Sequence, residues 1–355
     1  MRKYIYHFDT ESDFNEMRSA ENYDEPWVSL TEDIERIDFN KTEEEKERER
    51  LLGTPLTFEI QSDGEIVWKT SSGNTKTIEY SKNGGEWTSI TSSTGGTSIS
   101  VVNGDTVQFR GNNSSYSTSS SRYNTFSGST AQFSVKGNIM SLINSTNFSG
   151  LTEFPSNSSY NFCNLFKNTS VLASQSLVLP ATTLTENCYQ NMFNECTSLT
   201  GAPELPATTL APFCYNSMFG GCTSLTTAPE LPATTLANCC YQSMFGRCGL
   251  TTAPALPATT LINYCYEYMF SGCKNLIQTP ELPATTLANG CYSNMFYNCT
   301  NLNYIKCLAT DISATYCTNS WVRGVASTGT FITPSSTSWS TGNDGIPSGW
   351  TRVDA

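Results

Sequence analysis

The chain has 355 residues and a formal charge of −12, from 32 acidic and 20 basic side chains. That length leaves room for two or three modules, and the acidic balance argues against nucleic acid or an anionic membrane surface as a partner. A single histidine, His7, is the one imidazole for a Ser-His-Asp or Cys-His site, and no P-loop, GxGxxG, HExxH or EF-hand spacing occurs. The composition points away from an enzyme, with no catalytic residue, metal or cofactor expected.

The charge is concentrated at the start. Residues 1–50 hold 16 of the acids and 8 of the bases, which is −8 of the total. Tyr4, Tyr6, Phe8, Phe14, Tyr23 and Trp27 are scattered there without a helix or strand period. A stretch that cannot build its own core reads as a peptide that orders when docked on another protein. Thr42 to Leu52, TEEEKERERLL, predicts a solvated charged helix with Thr42 as N-cap and acids in its first turn. Residues 1–52 are thus expected to be an anchoring segment.

Residues 53–136 alternate apolar and polar side chains in LTFEI, EIVWK, KTIEYSKNGGEWTSI, TSISVVNGDTVQFRG and AQFSVKG. Asp63-Gly64, Asn83-Gly84-Gly85 and Asn103-Gly104-Asp105 mark turns. The pattern predicts a small antiparallel β-sandwich, similar in its IEYSKNGGEWTSI hairpin to immunoglobulin-like modules. Trp68 and Trp87 are expected in its core, and Asn112 to Ser121 as a long polar loop, flexible or a contact tip.

Residues 137–330 are repetitive. LPATTL begins at Leu179, Leu205, Leu231, Leu256 and Leu282, each time followed by a CYxxMFxxC block. The first cysteines of these blocks, Cys188, Cys214, Cys240, Cys265 and Cys291, lie 26, 26, 25 and 26 residues apart. The short interval arises at Cys248-Gly249-Leu250, which lacks one residue of the usual spacing. Units this small cannot bury a core alone, so the period predicts a solenoid. Tyr189, Met192, Phe193 and Cys196 at i, i+3, i+4 and i+7 predict one inward stripe on a short helical segment. Leu199 to Leu205 and Ala207 to Leu210 read as extended pieces, pairing between repeats into a narrow parallel sheet of six or seven rungs at roughly 4.8 Å each.

The ends of the array are degenerate, as capping requires. Phe162, Leu165, Phe166 and Leu172 imitate a repeat but lack its cysteines at the expected places, and beyond Ala309 to Ile312, which echo ATTL, Cys317 and Trp321 replace the regular block. Residues 331–355, with Trp339 and Trp350, are expected to fold over the last rung as a cap.

The paired cysteines stand eight residues apart, unlike the close pairs of zinc sites. The opening MRKYIYHFDTESDF contains no apolar export segment that would place them in an oxidising compartment. They read as a column of small buried hydrophobes, with Cys239, outside the pattern, as the exposed thiol. Glu204, Glu230 and Glu281 recur, but Ala255 breaks the series, which suits a solvated ladder better than an acid/base pair. Positions that vary while the core stays fixed mark a candidate presented face: Glu186/Asn187, Pro212/Phe213, Asn238/Cys239, Asn263/Tyr264 and Asn289/Gly290. A second polar row is Gln190, Asn216, Gln242, Glu267 and Ser293. Tyr, Asn and Ser suit adaptable polar contact.

LPATTLANGCYSNMFYNCTNL resembles the BspA-like leucine-rich repeat, whose unit carries an AF-x-x-C-x-x-L core. That core corresponds to Met192-Phe193, Met218-Phe219, Met244-Phe245, Met269-Phe270 and Met295-Phe296, each phenylalanine three residues before its cysteine. The resemblance covers about residues 137 to 330 and implies a surface or adhesion role, as in proteins of gut and oral anaerobes and of their phages. The fold expected is therefore multidomain and mainly β: anchor, immunoglobulin-like sandwich, leucine-rich-repeat solenoid and cap. With that role and no export or membrane segment, the chain reads as a phage virion structural protein made in the host cytoplasm: a capsid decoration, head fibre or tail-associated protein. It would dock on other virion proteins by its N-terminal segment and touch a host surface protein, mucus or glycan through the solenoid, without membrane insertion; a homo-oligomer is open. The alternatives are a bacterial cell-surface adhesin and a cytoplasmic protein-binding scaffold.

Overall fold

The computed structural model describes residues 41–355, so the aromatic anchor positions Tyr4 to Trp27 and His7 lie outside the described residues. Helix α1 (Glu43–Leu52) opens with a reciprocal cap. Thr42 Oγ1 accepts from the Glu45 N–H at 3.2 Å, and Glu45 Oε2 accepts from the Thr42 N–H at 2.7 Å. Each side chain satisfies a donor that helix geometry leaves free. Exposed pairs Glu43–Lys46 and Glu47–Arg50 add a few tenths of a kcal/mol each.

Leu51 to Ala355 forms one compact, mainly β unit. Its first part holds β1 (Leu56–Ile60), β2 (Gly64–Thr70), β3 (Thr77–Lys82), β4 (Thr88–Thr91), β5 (Thr97–Val101), β6 (Thr106–Arg110), β7 (Ser117–Ser119), β8 (Arg122–Thr125) and β9 (Phe133–Asn138). The strands from β1 to β9 pair antiparallel, in the orders β9-β1-β6-β3-β4 and β5-β2-β8-β7. Alternation puts Phe58 and Phe109 of one sheet and Trp68 of the other against Phe126, at centroid distances of 4.8, 5.0 and 4.8 Å.

Two expectations for this part need correction. Trp87 is not in the core: it is half-buried, with the Arg110 guanidinium 4.1 Å from its ring centroid. The Asn112 to Ser121 segment is no free tip, because its single aromatic, Tyr116, is fully buried and donates its hydroxyl to Leu142 O at 2.7 Å.

Strand β9 also pairs parallel with β10 (Leu177–Val178) of the repeats. The expected boundary at 136/137 therefore falls inside a strand, and one hydrophobic cluster runs from Leu56 to Trp350.

The CYxxMFxxC blocks are not helical. They are chains of tight turns in which every fourth residue is left-handed: Asn187, Asn191 and Glu195 have φ of 56°, 54° and 61°. The same three columns recur in seven rungs, beginning at Tyr160, Asn187, Phe213, Cys239, Tyr264, Gly290 and Tyr316. Alternate N–H groups close the turns, as in Met192 to Tyr189 O at 3.1 Å, while the others cross to the next rung, as in Tyr189 to Cys214 O and Phe193 to Met218 O at 3.0 and 2.9 Å. A period of four satisfies i, i+3, i+4 and i+7 as well as a helix does, which is why the inward stripe is right and the backbone is not. Burial of Leu172 also differs: it is half-buried, and Val171 takes the inward slot.

Inside, two ring columns run the length of the stack. Tyr189, Tyr215, Tyr241, Tyr266 and Tyr292 lie 5.8 to 6.2 Å apart, and Phe166, Phe193, Phe219, Phe245, Phe270 and Phe296 lie 5.1 to 5.9 Å apart. Near-parallel pairs of this kind add about 0.5–1.5 kcal/mol each beyond burial. Trp321 extends the tyrosine column at 6.1 Å, and Trp339 covers it at 5.4 Å.

The expected parallel sheet is regular only at the far end, through β11 (Gln278–Leu282), β12 (Tyr304–Cys307), β13 (Thr330–Thr333) and β14 (Thr351–Asp354). Upstream it reduces to single bridges such as Thr183 to Thr209 to Thr235. Two prolines per repeat, Pro203 and Pro206 or Pro229 and Pro232, supply no N–H for a ladder.

Candidate recognition face

Four-residue turns dictate which side chains look outward. In the rung of Asn187, Cys188, Tyr189, Met192, Phe193 and Cys196 are buried, while Gln190, Asn191, Asn194 and Glu195 are partly exposed. The outward columns therefore repeat once per rung on a backbone fixed by the ladder beneath.

The predicted positions divide on this frame. Glu186, Pro212, Asn263 and Asn289 are exposed, Asn238 and Phe213 are half-buried, and Tyr264 is 37% exposed. Asn187 is buried at 4%, because its left-handed turn is tucked against the next rung, where its N–H reaches Pro212 O at 3.1 Å. Cys239 is likewise buried at 6% and not an exposed thiol; burial, with Glu267 nearby, pushes it up to about 11. Gly290 lies beneath the Tyr264 ring, where any Cβ would collide.

The second polar row is brought together as a chain of side-chain bonds. Gln190 Nε2 donates to Asn216 Oδ1 at 3.3 Å, Asn216 Nδ2 to Gln242 Oε1 at 2.7 Å, and Gln242 Nε2 to Glu267 Oε2 at 2.5 Å. Ser293 bonds Glu267 from the following rung, and desolvation raises the Glu267 carboxyl. Ser293 itself is buried at 4% and does not belong to the exposed face. The row spends much of its polarity on itself.

The residue just before each methionine, in the central left-handed column, went unread as a contact position in the sequence: Asn191, Ser217, Ser243, Tyr268 and Asn294. A helix would have left these positions between stripes, whereas the turns put them outward. Tyr268 is 38% and Tyr316, in the first left-handed column, 68% exposed. In the third left-handed column larger side chains alternate with glycine from Glu195 onward, and each lies over the glycine of the next rung. A Cβ at Gly221 would stand 2.7 Å from the Glu195 carboxylate, one at Gly272 3.1 Å from Arg247 Cγ, and one at Gly324 would meet Asn298. Glu195 reaches across Gly221 to pair with Arg247 at 2.5 Å.

On the PELPATTL side, Glu204 and Glu230 are exposed and line a shallow groove with Pro203, Pro206, Pro229 and Pro232. Glu281 pairs with Lys306 at 2.6 Å.

All fourteen cysteines are free and buried. In the second column each thiol donates to a phenylalanine carbonyl of the preceding rung: Cys196 to Phe166 O, Cys222 to Phe193 O, Cys248 to Phe219 O, Cys273 to Phe245 O and Cys299 to Phe270 O, at 2.9 to 3.1 Å. Burial pushes Cys196 up to about 11 and Cys273 to about 12, so these thiols stay protonated and weakly nucleophilic at neutral pH.

Among the described residues no group of three His, Cys, Asp or Glu side chains is placed to hold a metal ion, and no helix is long and apolar enough to cross a membrane. Comparison with known protein families, curated proteins and solved structures gives no match for the chain.

Proposed function

We propose that this chain is a non-enzymatic virion structural protein of a phage, docked by its N-terminal segment and presenting the repeat stack to a host surface protein, mucus or glycan. In this reading the repeats are a BspA-like leucine-rich-repeat solenoid, the paired sheets of residues 53–136 an immunoglobulin-like spacer fused to it, and residues 331–355 its cap. The observation that carries the reading is the division of labour within each rung: the inward residues are constant from repeat to repeat, whereas the outward columns change identity. Such a stack holds variable side chains in fixed geometry at little entropic cost on binding.

Quantitative mass spectrometry of density-purified phage particles, beside the envelope fraction of the producing culture, tests it. Stoichiometric recovery in particles is expected, and recovery only in the envelope would replace the virion reading with a bacterial surface adhesin. Deleting residues 1–50 should abolish incorporation; unchanged incorporation would defeat the anchoring role.

A further inference from the structure

The turn face carries a groove crossing four rungs, lined by Asn194, Ser217, Gly220, Ser243, Gly246, Arg247, Tyr268 and Ser271. Its floor is opened by Gly246. Gly220 and Gly246 occupy the column that holds Asn194, Ser271, Tyr297 and Arg323 in other rungs. At Gly246 an added Cβ would meet nothing closer than 3.5 Å, so glycine is not imposed there by crowding, and neither glycine has a positive φ. Gly220 is buried beneath the Asn194 amide, whose Nδ2 would stand 2.8 Å from an added Cβ and donates to Gly220 O at 3.0 Å; the open space is therefore at Gly246, with Tyr268 at one end.

We propose that this groove binds an extended neutral glycan, an assignment that rests on the presenting-surface reading above and names its ligand class. The backbone N–H groups of Ser217, Gly220, Gly221, Ser243, Gly246 and Arg247 are all spent within the ladder, which leaves none for adding a peptide strand. What the groove offers is hydroxyls and a ring. The Ser217 and Ser243 hydroxyls have no partner among the described residues, stand one rung apart, in the two rungs whose Phe219 and Phe245 rings are 5.7 Å apart, and can both donate and accept. Tyr268 supplies an exposed ring on which the apolar face of a sugar can lie. Arg247, the one cation of the groove, is paired with Glu195, which favours a neutral ligand over a charged one.

The test is calorimetric titration of the full chain with three neutral linear hexasaccharides: a β-1,4-glucan, a β-1,4-mannan and an α-1,4-glucan. At least one should bind, and Gly246→Tyr, which fills the floor, and Tyr268→Ala should each weaken it about tenfold or more. Gly246→Tyr should keep the wild-type unfolding midpoint, since Tyr297 holds the same place elsewhere, and Thr234→Ala on the PATTL edge should bind normally. No binding by any of the three, or equal binding by Gly246→Tyr, would overturn the assignment. Host-cell binding that persists in Gly246→Tyr would overturn the groove and leave the presenting surface standing; hexasaccharide binding without any cell binding by the wild-type chain would do the reverse.

Discussion

Thr169 stands in the first rung where Cys196, Cys222, Cys248, Cys273 and Cys299 stand later, and its hydroxyl donates to a phenylalanine carbonyl too, that of Phe166 in its own rung rather than the preceding one, at 2.8 Å. The slot thus calls for a small side chain with a donor rather than for sulfur chemistry. Cys248→Ser should cost about 1 kcal/mol, whereas Cys248→Ala, which leaves a void and takes one of two donors from Phe219 O, the Cys222 N–H remaining, should cost about 2 kcal/mol, read from urea denaturation midpoints. Equal costs would deny the hydrogen bond a role. The raised thiols also set an alkaline limit. From an ordinary value of 9.0, burial moves Cys196 to about 11 and Cys240, Cys273 and Cys307 to about 12. Above pH 9 the unfolded chain loses protons that the folded chain keeps, so stability is full below pH 9 and falls as pH rises toward 11 to 12. A urea midpoint unchanged from pH 8 to 11 would contradict this. Asp105, held down to about 2 by Lys82, Asn83 and the Val102 N–H, has the opposite sign: its contribution is present above about pH 4 and lost as pH falls toward 2.

At the scale of elements, the left-handed positions decide the backbone. Asn191 sits at φ 54°, a region that asparagine tolerates and β-branched residues do not. Asn191→Val should cost about 1–2 kcal/mol and Asn191→Gly close to nothing. Gly249, at the repeat lacking one residue, has a different constraint: a Cβ there would run into Thr223 O, so Gly249→Ala should lower the thermal midpoint more than Ala substitution at any exposed position. The period of 26 and the inward identities of Tyr189, Met192, Phe193 and Cys196 were legible in the sequence because burial depends on spacing. The turns were not, because spacings of four and 3.6 residues coincide over two turns and the left-handed column holds Asn, Ser, Tyr and Arg as well as Gly. The groove was hidden for a related reason: Gly246 matters through the side chain it omits, which only the column alignment of folded rungs reveals. Strands β1 to β6 and β9 followed from alternation, while β7 and β8 lay in a polar run whose one inward anchor, Tyr116, gives no period.

For the whole molecule, the alternation of larger side chains with glycine from Glu195 to Gly324 implies that two rungs, not one, form the repeating unit of the third left-handed column. Removing residues 239–289 joins Asn238 to Gly290 and keeps the order Gly221, Asn298, Gly324. This two-rung deletion should fold cooperatively, with a lower midpoint in keeping with fewer interfaces. The central claim is that the turn face is the presenting surface. Hydroxyl-radical footprinting of the purified chain with and without host cell envelopes tests it directly. Protection confined to Phe213–Gly221, Cys239–Arg247 and Tyr264–Gly272 is the predicted result; protection confined to the exposed threonines of the PATTL edge, or none at all, would contradict it.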